Sequence, residues 1–402
     1  MNKPLRVLQI VPSVSLVYGG PSQMILGLSA ALAQLPVELT LITTDSNGDV
    51  GQPPLDVPIN QPIQQQGYVV RYFRCSPFRR YKFSVGLLQW LWEQAPSFDI
   101  AHIHALFSPV STAAATIARW RGLPYLLRPL GTLDPADLRK KKQLKQLYGR
   151  LLEGPNLKGA AAIHFTSPQE VQVSERFGAQ TTDVVIPLGV EAPQKEQSDD
   201  RATTQSQLRS QLGLPNDVPI LLYMSRIDPK KGLDLLFPAL QTLQQEGCPF
   251  HFVLAGSNPQ DPAYEQQIQN QIQACGLGEQ TTITGIVTGD RKYAFLAAAD
   301  LFVLPSYYEN FGIAVVEAML AGLPVVISEQ VYIWENIQAA KAGWVTRCDQ
   351  AELTNALRTA LNDPQACQQF GNNGRRYAQT HYSWPAIAQQ TLDTYLKLLQ
   401  RS

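Results

Sequence analysis

Two glutamates eight residues apart, Glu309 and Glu317, are well suited to bind a ligand in the segment PSYYENFGIAVVEAMLAGLPVV. An ionised carboxylate only accepts hydrogen bonds, so the ligand groups that suit it are hydroxyls, such as those of a sugar. The backbone N–H groups of Phe311, Gly312 and Ile313 lie at the start of a predicted helix, where phosphate binds readily. This combination predicts a nucleotide-sugar site. The alternative is that both glutamates are ordinary surface charges.

A pair of cations, Arg226 and Lys231, forms a second candidate group in the segment SRIDPKKG. This segment follows an apolar run at 219–224, which predicts a buried strand, and precedes a helix predicted from Leu233. Open α/β sheets bind ligands at the carboxyl ends of their strands. A guanidinium and an ammonium there suit a leaving diphosphate, and the alternative is two ordinary surface cations.

The elements around these residues predict an α/β protein. The short apolar run Leu301–Leu304 predicts a strand buried on both faces. The helix that follows is predicted to end at Gly322, and Pro324 begins another strand. The N-terminal part repeats the pattern of strand, turn and helix, with Gly19 and Gly20 in the turn. The polar stretches 44–67 and 191–204 predict a long loop and a linker.

Composition limits the class of protein. A chain of 402 residues exceeds the size at which one core keeps growing, which predicts two domains. Basic and acidic residues balance at 33 each, so no overall charge recruits nucleic acid. Five scattered cysteines without a CxxC pair predict a reducing compartment, with neither a disulfide framework nor a zinc site. No signal peptide or long apolar stretch is visible, so we expect a cytoplasmic, soluble protein.

The two candidate segments resemble the signatures of one enzyme family. The window around Glu309 and Glu317 is similar to the Glu-x7-Glu signature of the group 1 glycosyl transferases, the retaining enzymes of family 4, and SRIDPKKG matches another of their motifs. The resemblance extends over essentially the whole chain. It implies the GT-B fold, with two Rossmann-like domains whose parallel sheets face a central cleft. The implied domains are an acceptor-side domain at 1–190, completed by a C-terminal helix at 384–402 that crosses back, and a nucleotide-sugar-binding domain at 191–383.

The resemblance also implies a role for individual residues. Arg226 and Lys231 hold the diphosphate and stabilise the charge that builds on it as the glycosidic bond breaks. Glu317 accepts hydrogen bonds from the ribose, and Glu309 orients the donor sugar. The residues implied to contact the donor are Gly19, Gly20, Arg226, Lys231, Val287, Glu309, Asn310, Phe311, Gly312, Ile313 and Glu317.

The chemistry implied by the resemblance is transfer with retention of the anomeric configuration. No carboxylate is placed as a clear nucleophile, so we expect front-face departure in which the leaving phosphate takes the acceptor's proton. The chain contains no Asp-x-Asp, which is consistent with cationic side chains in place of a metal at the diphosphate. We therefore expect no metal and no cofactor, since the nucleotide-sugar is a co-substrate.

Histidines end a predicted strand at 99–104. Alternation places His102 and His104 on the same face, and His104 lies nearer the carboxyl end. His104 is therefore a fourth catalytic candidate beside the two cations and Glu309, and the alternative is a core histidine. Many relatives carry a sugar-contacting histidine just after the next strand, where this chain has Gly131 and Thr132. Arg128 or His104 is expected to take over that contact.

The most basic segment, from Arg139 to Arg150, also carries leucines at helical spacing. A basic amphipathic helix of this kind binds anionic membrane surfaces, so a peripheral contact with the inner face of a membrane is one prediction. The alternative is a solvated helix whose leucines pack inward. The acceptor expected on this basis is a glycan or a lipid-linked glycan of polysaccharide or cell-envelope biosynthesis.

The donor and the reaction stay open at this point. The expected donor is a UDP-, GDP- or ADP-linked hexose, and the choice among these bases and among hexoses is open. A nucleotide-sugar 2-epimerase of the same build would use the same diphosphate contacts without an acceptor, but only Asp134 and Asp137 offer nearby carboxylates in the first domain. A non-catalytic module that binds sugar nucleotides would also keep all four charged residues.

Overall fold

The chain forms two compact units. The computed structural model describes residues 3–18, 20–48, 52–77, 79–139, 142–191, 198–215 and 217–400. The first unit comprises the described residues up to Gly189 together with those from Trp384 onward, and the second comprises Val190–Ser383. Each unit contains its own sheet, because strands pair only with strands of the same unit in the described part of the chain.

The first unit is built on a sheet with the strand order β3-β4-β2-β1-β5-β6-β7-β8. Neighbouring strands are parallel except for the antiparallel pair of β3 and β4. The central strands are almost entirely buried, as expected for strands covered by helices on both faces. The strands are β1 (Leu5–Ile10), β2 (Val37–Thr44), β3 (Ile63–Gln65), β4 (Tyr68–Phe73), β5 (Ile100–His104), β6 (Tyr125–Arg128), β7 (Ala162–Phe165) and β8 (Asp183–Val185).

Helices connect the parallel strands of the first unit. Ser84 and Ser167 cap two of them, because each serine side chain accepts a hydrogen bond from the backbone N–H three residues later. The described helices are α1 (Gly20–Leu32), α2 (Val85–Gln94), α3 (Pro109–Trp120), α4 (Pro135–Leu138), α5 (Lys142–Tyr148), α6 (Gly154–Gly159) and α7 (Pro168–Val173), with a π-helical turn at Gly149–Glu153 between α5 and α6.

The second unit is built on an all-parallel sheet with the strand order β11-β10-β9-β12-β13-β14. The chain moves outward from β9 in one direction and then returns to the other side of β9 with β12. The order therefore reverses between β9 and β12, and this is where doubly wound sheets bind ligands. The strands are β9 (Ile220–Met224), β10 (His251–Ala255), β11 (Thr281–Ile283), β12 (Leu301–Leu304), β13 (Val325–Ser328) and β14 (Gly343–Thr346).

Each strand of this sheet is followed by a helix. The described helices of the second unit are α8 (Ser198–Gln211), α9 (Leu233–Gln245), α10 (Pro262–Ala274), α11 (Gly289–Ala298), α12 (Ile313–Leu320), α13 (Trp334–Ala340), α14 (Gln350–Asn362) and α15 (Pro364–His381). Asp261, Asp349 and Asp363 each cap a helix by accepting from a backbone N–H in its first turn.

The last helix, α16 (Trp384–Leu399), belongs to the first unit. Its buried residues Leu392, Tyr395 and Leu398 join the same apolar core as residues of β1 and α1. Glycines make room for Trp384 at the start of this helix, since a Cβ at Gly27 would lie 2.3 Å from the indole ring.

Two expectations about polar segments are wrong in part. The stretch 44–67, expected to be a loop, contains the short antiparallel strand β3, whose polar sequence gives little strand signal. The stretch 191–204, expected to be a linker, contains the first turns of α8. Residues 49–51 and 192–197 of these two stretches lie outside the described residues.

Candidate functional site

The structure brings Lys231 and Glu309 into direct contact. Lys231 follows β9 and Glu309 follows β12, so the reversal of strand order places their loops side by side. Lys231 Nζ donates to Glu309 Oε2 in an ion pair. The two side chains are only 11% and 22% exposed, so the pair is shielded from most of the solvent. A cation and a carboxylate thus share the carboxyl edge of the sheet.

Backbone contacts hold these two loops together. The N–H of Tyr307 donates to the carbonyl of Lys230 at 2.8 Å. Gly232, the residue after Lys231, has a φ of +73°, and a Cβ there would lie 2.0 Å from the carbonyl oxygen of Pro305. Only glycine fits so close to another backbone. The position of Lys231 is therefore fixed by main-chain packing against the loop that carries Glu309.

The segment from Glu309 to α12 is held from its other side. The N–H of Glu309 donates to the backbone carbonyl of Gln330 at 3.0 Å, and the carbonyl of Glu309 accepts from the backbone N–H of Tyr332 at 3.0 Å. Gly312 has a φ of +82° and turns the chain into α12, where the N–H groups of Val315 and Val316 donate to the Gly312 carbonyl. The structure thus provides the helix N-terminus that was predicted to receive phosphate.

The other residues predicted around this N-terminus differ in exposure. Phe311 is buried, with its ring edge against Tyr382 at a centroid distance of 5.6 Å, so its side chain packs into the protein. Asn310 and Ile313 are half-buried at the start of the helix. Phe311 can therefore contact a ligand only through its backbone groups.

Glu317 has a partner that sequence reasoning missed. Lys292, in the first turns of α11, donates from Nζ to Glu317 Oε1 at 2.7 Å. The side chains are 22% and 16% exposed. Lys292 follows Asp290 and Arg291 in the charged first turn of α11, and nothing in its sequence position relates it to Glu317. Each of the two predicted carboxylates therefore forms an ion pair with a lysine.

Arg226 and Val287 lie in the same unit, on loops at the carboxyl ends of strands. Arg226 follows β9 and is exposed. Val287 lies between β11 and α11, is 9% exposed, and follows Ile286, whose side chain is 62% exposed. The ion pairs recorded for the described residues do not include Arg226, which leaves its guanidinium open to solvent.

The candidates of the first unit occupy a different environment. Gly20 begins α1 and is half-buried, whereas Gly19 lies outside the described residues. His104 ends β5 but is completely buried, and its ring stacks on His102 at 4.3 Å. Alternation along β5 predicted the face on which His104 lies, but not what covers that face. The catalytic role of His104 stays a prediction.

A series of buried hydrogen bonds lies next to His104. His164 Nε2 lies 2.8 Å from the carbonyl of Ile186, which only accepts, so this nitrogen is protonated. His164 Nδ1 then accepts from His102 Nε2 at 3.0 Å, and His102 Nδ1 accepts from the Tyr395 hydroxyl at 2.8 Å. Each ring carries one proton in this arrangement, and burial lowers the pKa of His102 to about 3.

Arg128 is a buried cation at the end of β6, next to His104 in the sheet register. Nη1 lies 2.7 Å from the sulfur of Met24, while Nε and Nη2 have no hydrogen-bond partner in the part of the chain that the structure describes. Burial lowers the pKa of Arg128 to about 10, so the guanidinium stays charged at neutral pH. Burial, and after it the charge of Arg128, keeps the pKa values of His104 and His164 well below their usual range.

The second unit therefore holds the residues that suit a phosphorylated, hydroxylated ligand. It combines two carboxylates, two lysines, an exposed arginine and a helix N-terminus. Among the described residues, no group of three or more His, Cys, Asp or Glu side chains is arranged to hold a metal ion. In the first unit, Asp137 is bound by Lys145 at 2.6 Å and Asp134 is buried.

Comparison with known families gives two matches along the chain. Residues 204–377 match the family described as glycosyl transferases group 1. Residues 19–189 match the glycosyl transferase 4-like domain. The two matches together cover most of both units.

Individual proteins are similar over nearly the whole chain. A D-inositol 3-phosphate glycosyltransferase of Streptomyces avermitilis is 24% identical, over 100% of this chain and 89% of its own. Among solved structures, sucrose-phosphate synthase from Thermosynechococcus elongatus has a TM-score of 0.74 at 23% identity, covering 99% of this chain and 100% of its own. Anabaena HepE in complex with UDP-glucose has a TM-score of 0.71 at 18% identity, covering 98% and 100%. These likenesses confirm the predicted GT-B fold.

Proposed function

Because the chain belongs to the group 1 glycosyl transferases, we propose that it moves a hexose from a nucleotide-sugar to a glycan or lipid-linked glycan with retention of the anomeric configuration. The observation that carries this proposal is the contact between Lys231 and Glu309 at the reversal of strand order. In this contact a cation suited to a diphosphate lies next to a carboxylate suited to sugar hydroxyls, beside the N-terminus of α12.

The proposed chemistry assigns charge stabilisation to the cations. As the bond between the sugar and the diphosphate breaks, negative charge builds on the phosphate oxygens. Lys231 and Arg226 stabilise this charge, together with first-turn N–H groups of α12. The acceptor hydroxyl attacks from the face that the diphosphate leaves, and its proton passes to the departing phosphate oxygen. These cations supply the positive charge in our proposal, so the reaction needs no metal.

The proposed donor is a nucleotide-sugar with uracil, guanine or adenine as its base. The solved HepE structure carries UDP-glucose, which favours a nucleotide-sugar as the donor class. Glu317 would accept from the ribose and Glu309 from the donor sugar. Val287, on the loop before α11, would lie against the base, mainly through its backbone.

A lipid-linked acceptor is favoured by the surface around α5. Leu144, Leu147 and Leu151 are 64%, 59% and 64% exposed, so the leucines do not pack inward as the alternative required. None of the described helices is long and apolar enough to span a membrane. A cavity of about 570 Å³ nearby is lined by Arg119, Arg150 and Lys158 among other residues. We propose that this surface rests on the anionic inner face of a membrane.

The experiment that tests this proposal follows a panel of nucleotide-sugars by NMR. UDP-, GDP- and ADP-hexoses are incubated with the protein and a mixture of glycan acceptors. Release of the nucleoside diphosphate together with a product that keeps the donor's anomeric configuration is the expected result. An inverted product contradicts retention, a 2-epimer supports the epimerase, and binding without turnover supports a non-catalytic module.

A further inference from the structure

Lys292 joins two parts of the proposed donor site that are separate in sequence. It lies in α11, directly after the loop that contains Val287, and it contacts Glu317 in α12. The contact therefore links the loop proposed for the base to the carboxylate proposed for the ribose. A base and its ribose are covalently joined, so their binding groups must keep a fixed separation.

The contact divides the Glu317 carboxylate into two unlike oxygens. Lys292 Nζ donates to Oε1 at 2.7 Å, and no hydrogen bond to Oε2 is recorded for the described residues. A carboxylate held at one oxygen cannot rotate freely, so Oε2 keeps one direction. An oxygen fixed in this way accepts from a ribose hydroxyl at a lower entropic cost than a rotating carboxylate.

The charge of Lys292 has a second effect. An unpaired Glu317 carboxylate would repel the diphosphate of the same ligand, and this repulsion is strong where solvent is partly excluded. The ion pair cancels most of that charge while leaving lone pairs on Oε2 to accept hydrogen bonds. Arg291, the preceding residue, is exposed and lies 5.8 Å from the Phe295 ring, so it does not share this role.

We infer that Lys292 is a positioning residue that makes Glu317 select ribonucleotides over 2′-deoxyribonucleotides. This inference rests on the proposed function, because it concerns the nucleotide half of the same donor. Removing a ligand hydroxyl that donates to a charged acceptor weakens binding of that ligand by about tenfold or more. Lys292 holds Oε2 in the direction from which it accepts that hydrogen bond.

The test measures binding of UDP and 2′-deoxy-UDP by calorimetry, with the GDP and ADP pairs measured in the same way. The variants are Lys292→Met, which is close in length but uncharged, and Lys292→Arg, which keeps a donor for Glu317. Arg291→Gln is the matched control, since it removes one positive charge from the same helix without touching Glu317. Circular dichroism checks that each variant is folded.

We expect the wild type, Lys292→Arg and Arg291→Gln to bind the ribonucleotide about tenfold or more tightly than its 2′-deoxy form. In Lys292→Met this ratio falls to within about threefold, mainly through weaker binding of the ribonucleotide. If Lys292→Met keeps the same ratio as the wild type, the inference is overturned. Tighter binding of the ribonucleotide by Lys292→Met also overturns it, because Lys292 would then compete with the ribose for Glu317. If the wild type binds no nucleotide of the three pairs, the proposed function itself fails.

Discussion

Lys231 and Glu309 form an ion pair across 78 residues of sequence, at the one place in the second sheet where the strand order reverses. The parallel strands β9 and β12 bring the two loops together, and Gly232 and Pro305 hold them in contact. The pair is therefore a consequence of topology and of one close glycine contact. This relationship leads to the first two predictions.

The first prediction concerns the stability of the pair. Lys231→Met leaves the Glu309 carboxylate partly buried without its cation, so we expect the free energy of unfolding to fall by about 1–3 kcal/mol. Glu309→Gln should cost less, because an amide oxygen still accepts from Lys231. Urea denaturation of both variants and of the double variant measures the coupling. Strictly additive effects would contradict an energetically coupled pair.

The second prediction concerns Gly232. Gly232→Ala adds a Cβ at a left-handed φ and against a backbone carbonyl, so we expect a loss of roughly 3 kcal/mol or more in the free energy of unfolding. Gly213 is the matched control in the same unit, since its φ is +65° but no atom lies within 4 Å of an added Cβ. Gly213→Ala should cost only about 1 kcal/mol. Equal losses would show that the contact with Pro305 is unimportant.

A third prediction follows from the buried histidines of the first unit. His102, His104 and His164 have pKa values lowered by burial, so the unfolded chain binds more protons than the folded chain below about pH 6.5. Their contribution is complete above that pH and is lost as the pH falls toward 3. As the pH falls from 7 to 5.5, each of these histidines should lower the free energy of unfolding by about 1 kcal/mol.

Denaturation at several pH values checks this. Tyr395→Phe removes the hydroxyl that donates to His102 and should lower the free energy of unfolding by about 1 kcal/mol at pH 7. A stability that does not change between pH 7 and 5.5 would be incompatible with three neutral, buried histidines.

The fourth prediction concerns the exposed leucines. Replacing Leu144, Leu147 and Leu151 by Gln should lower binding to vesicles that contain anionic lipid by about tenfold or more, because each leucine loses apolar burial in the interface. Val85→Gln is the control, since Val85 is 53% exposed on a helix outside this surface. Vesicle sedimentation measures the effect. Equal binding by the wild type and the triple variant would remove the membrane contact from the proposal.

The sequence was informative where chemistry and local structure share one segment. Strand, loop and helix around Glu309 and Glu317 follow each other within 27 residues, from 301 to 327, so apolar runs, prolines and glycines predict both the elements and the residues at their ends. Lys231 is similar, since Gly232 marks the turn before α9. The GT-B fold followed from these motifs by resemblance.

Long-range partners were not predictable in the same way. Lys292 meets Glu317 through the packing of two helices, and no local pattern encodes that contact. Alternation along β5 placed His102 and His104 on one face, but it did not show that Tyr395, almost 300 residues later, would cover that face. The short strand β3 was missed because edge strands carry little apolar signal.

The central claim is that Lys231 stabilises a departing nucleoside diphosphate. The most direct measurement is the rate at which nucleoside diphosphate is released from UDP-, GDP- and ADP-hexoses by the wild type and by Lys231→Met, at a temperature where both are folded. We predict release from at least one donor class, lowered by about a hundredfold or more in Lys231→Met. No release from any donor, or equal release by the two proteins, would contradict the claim.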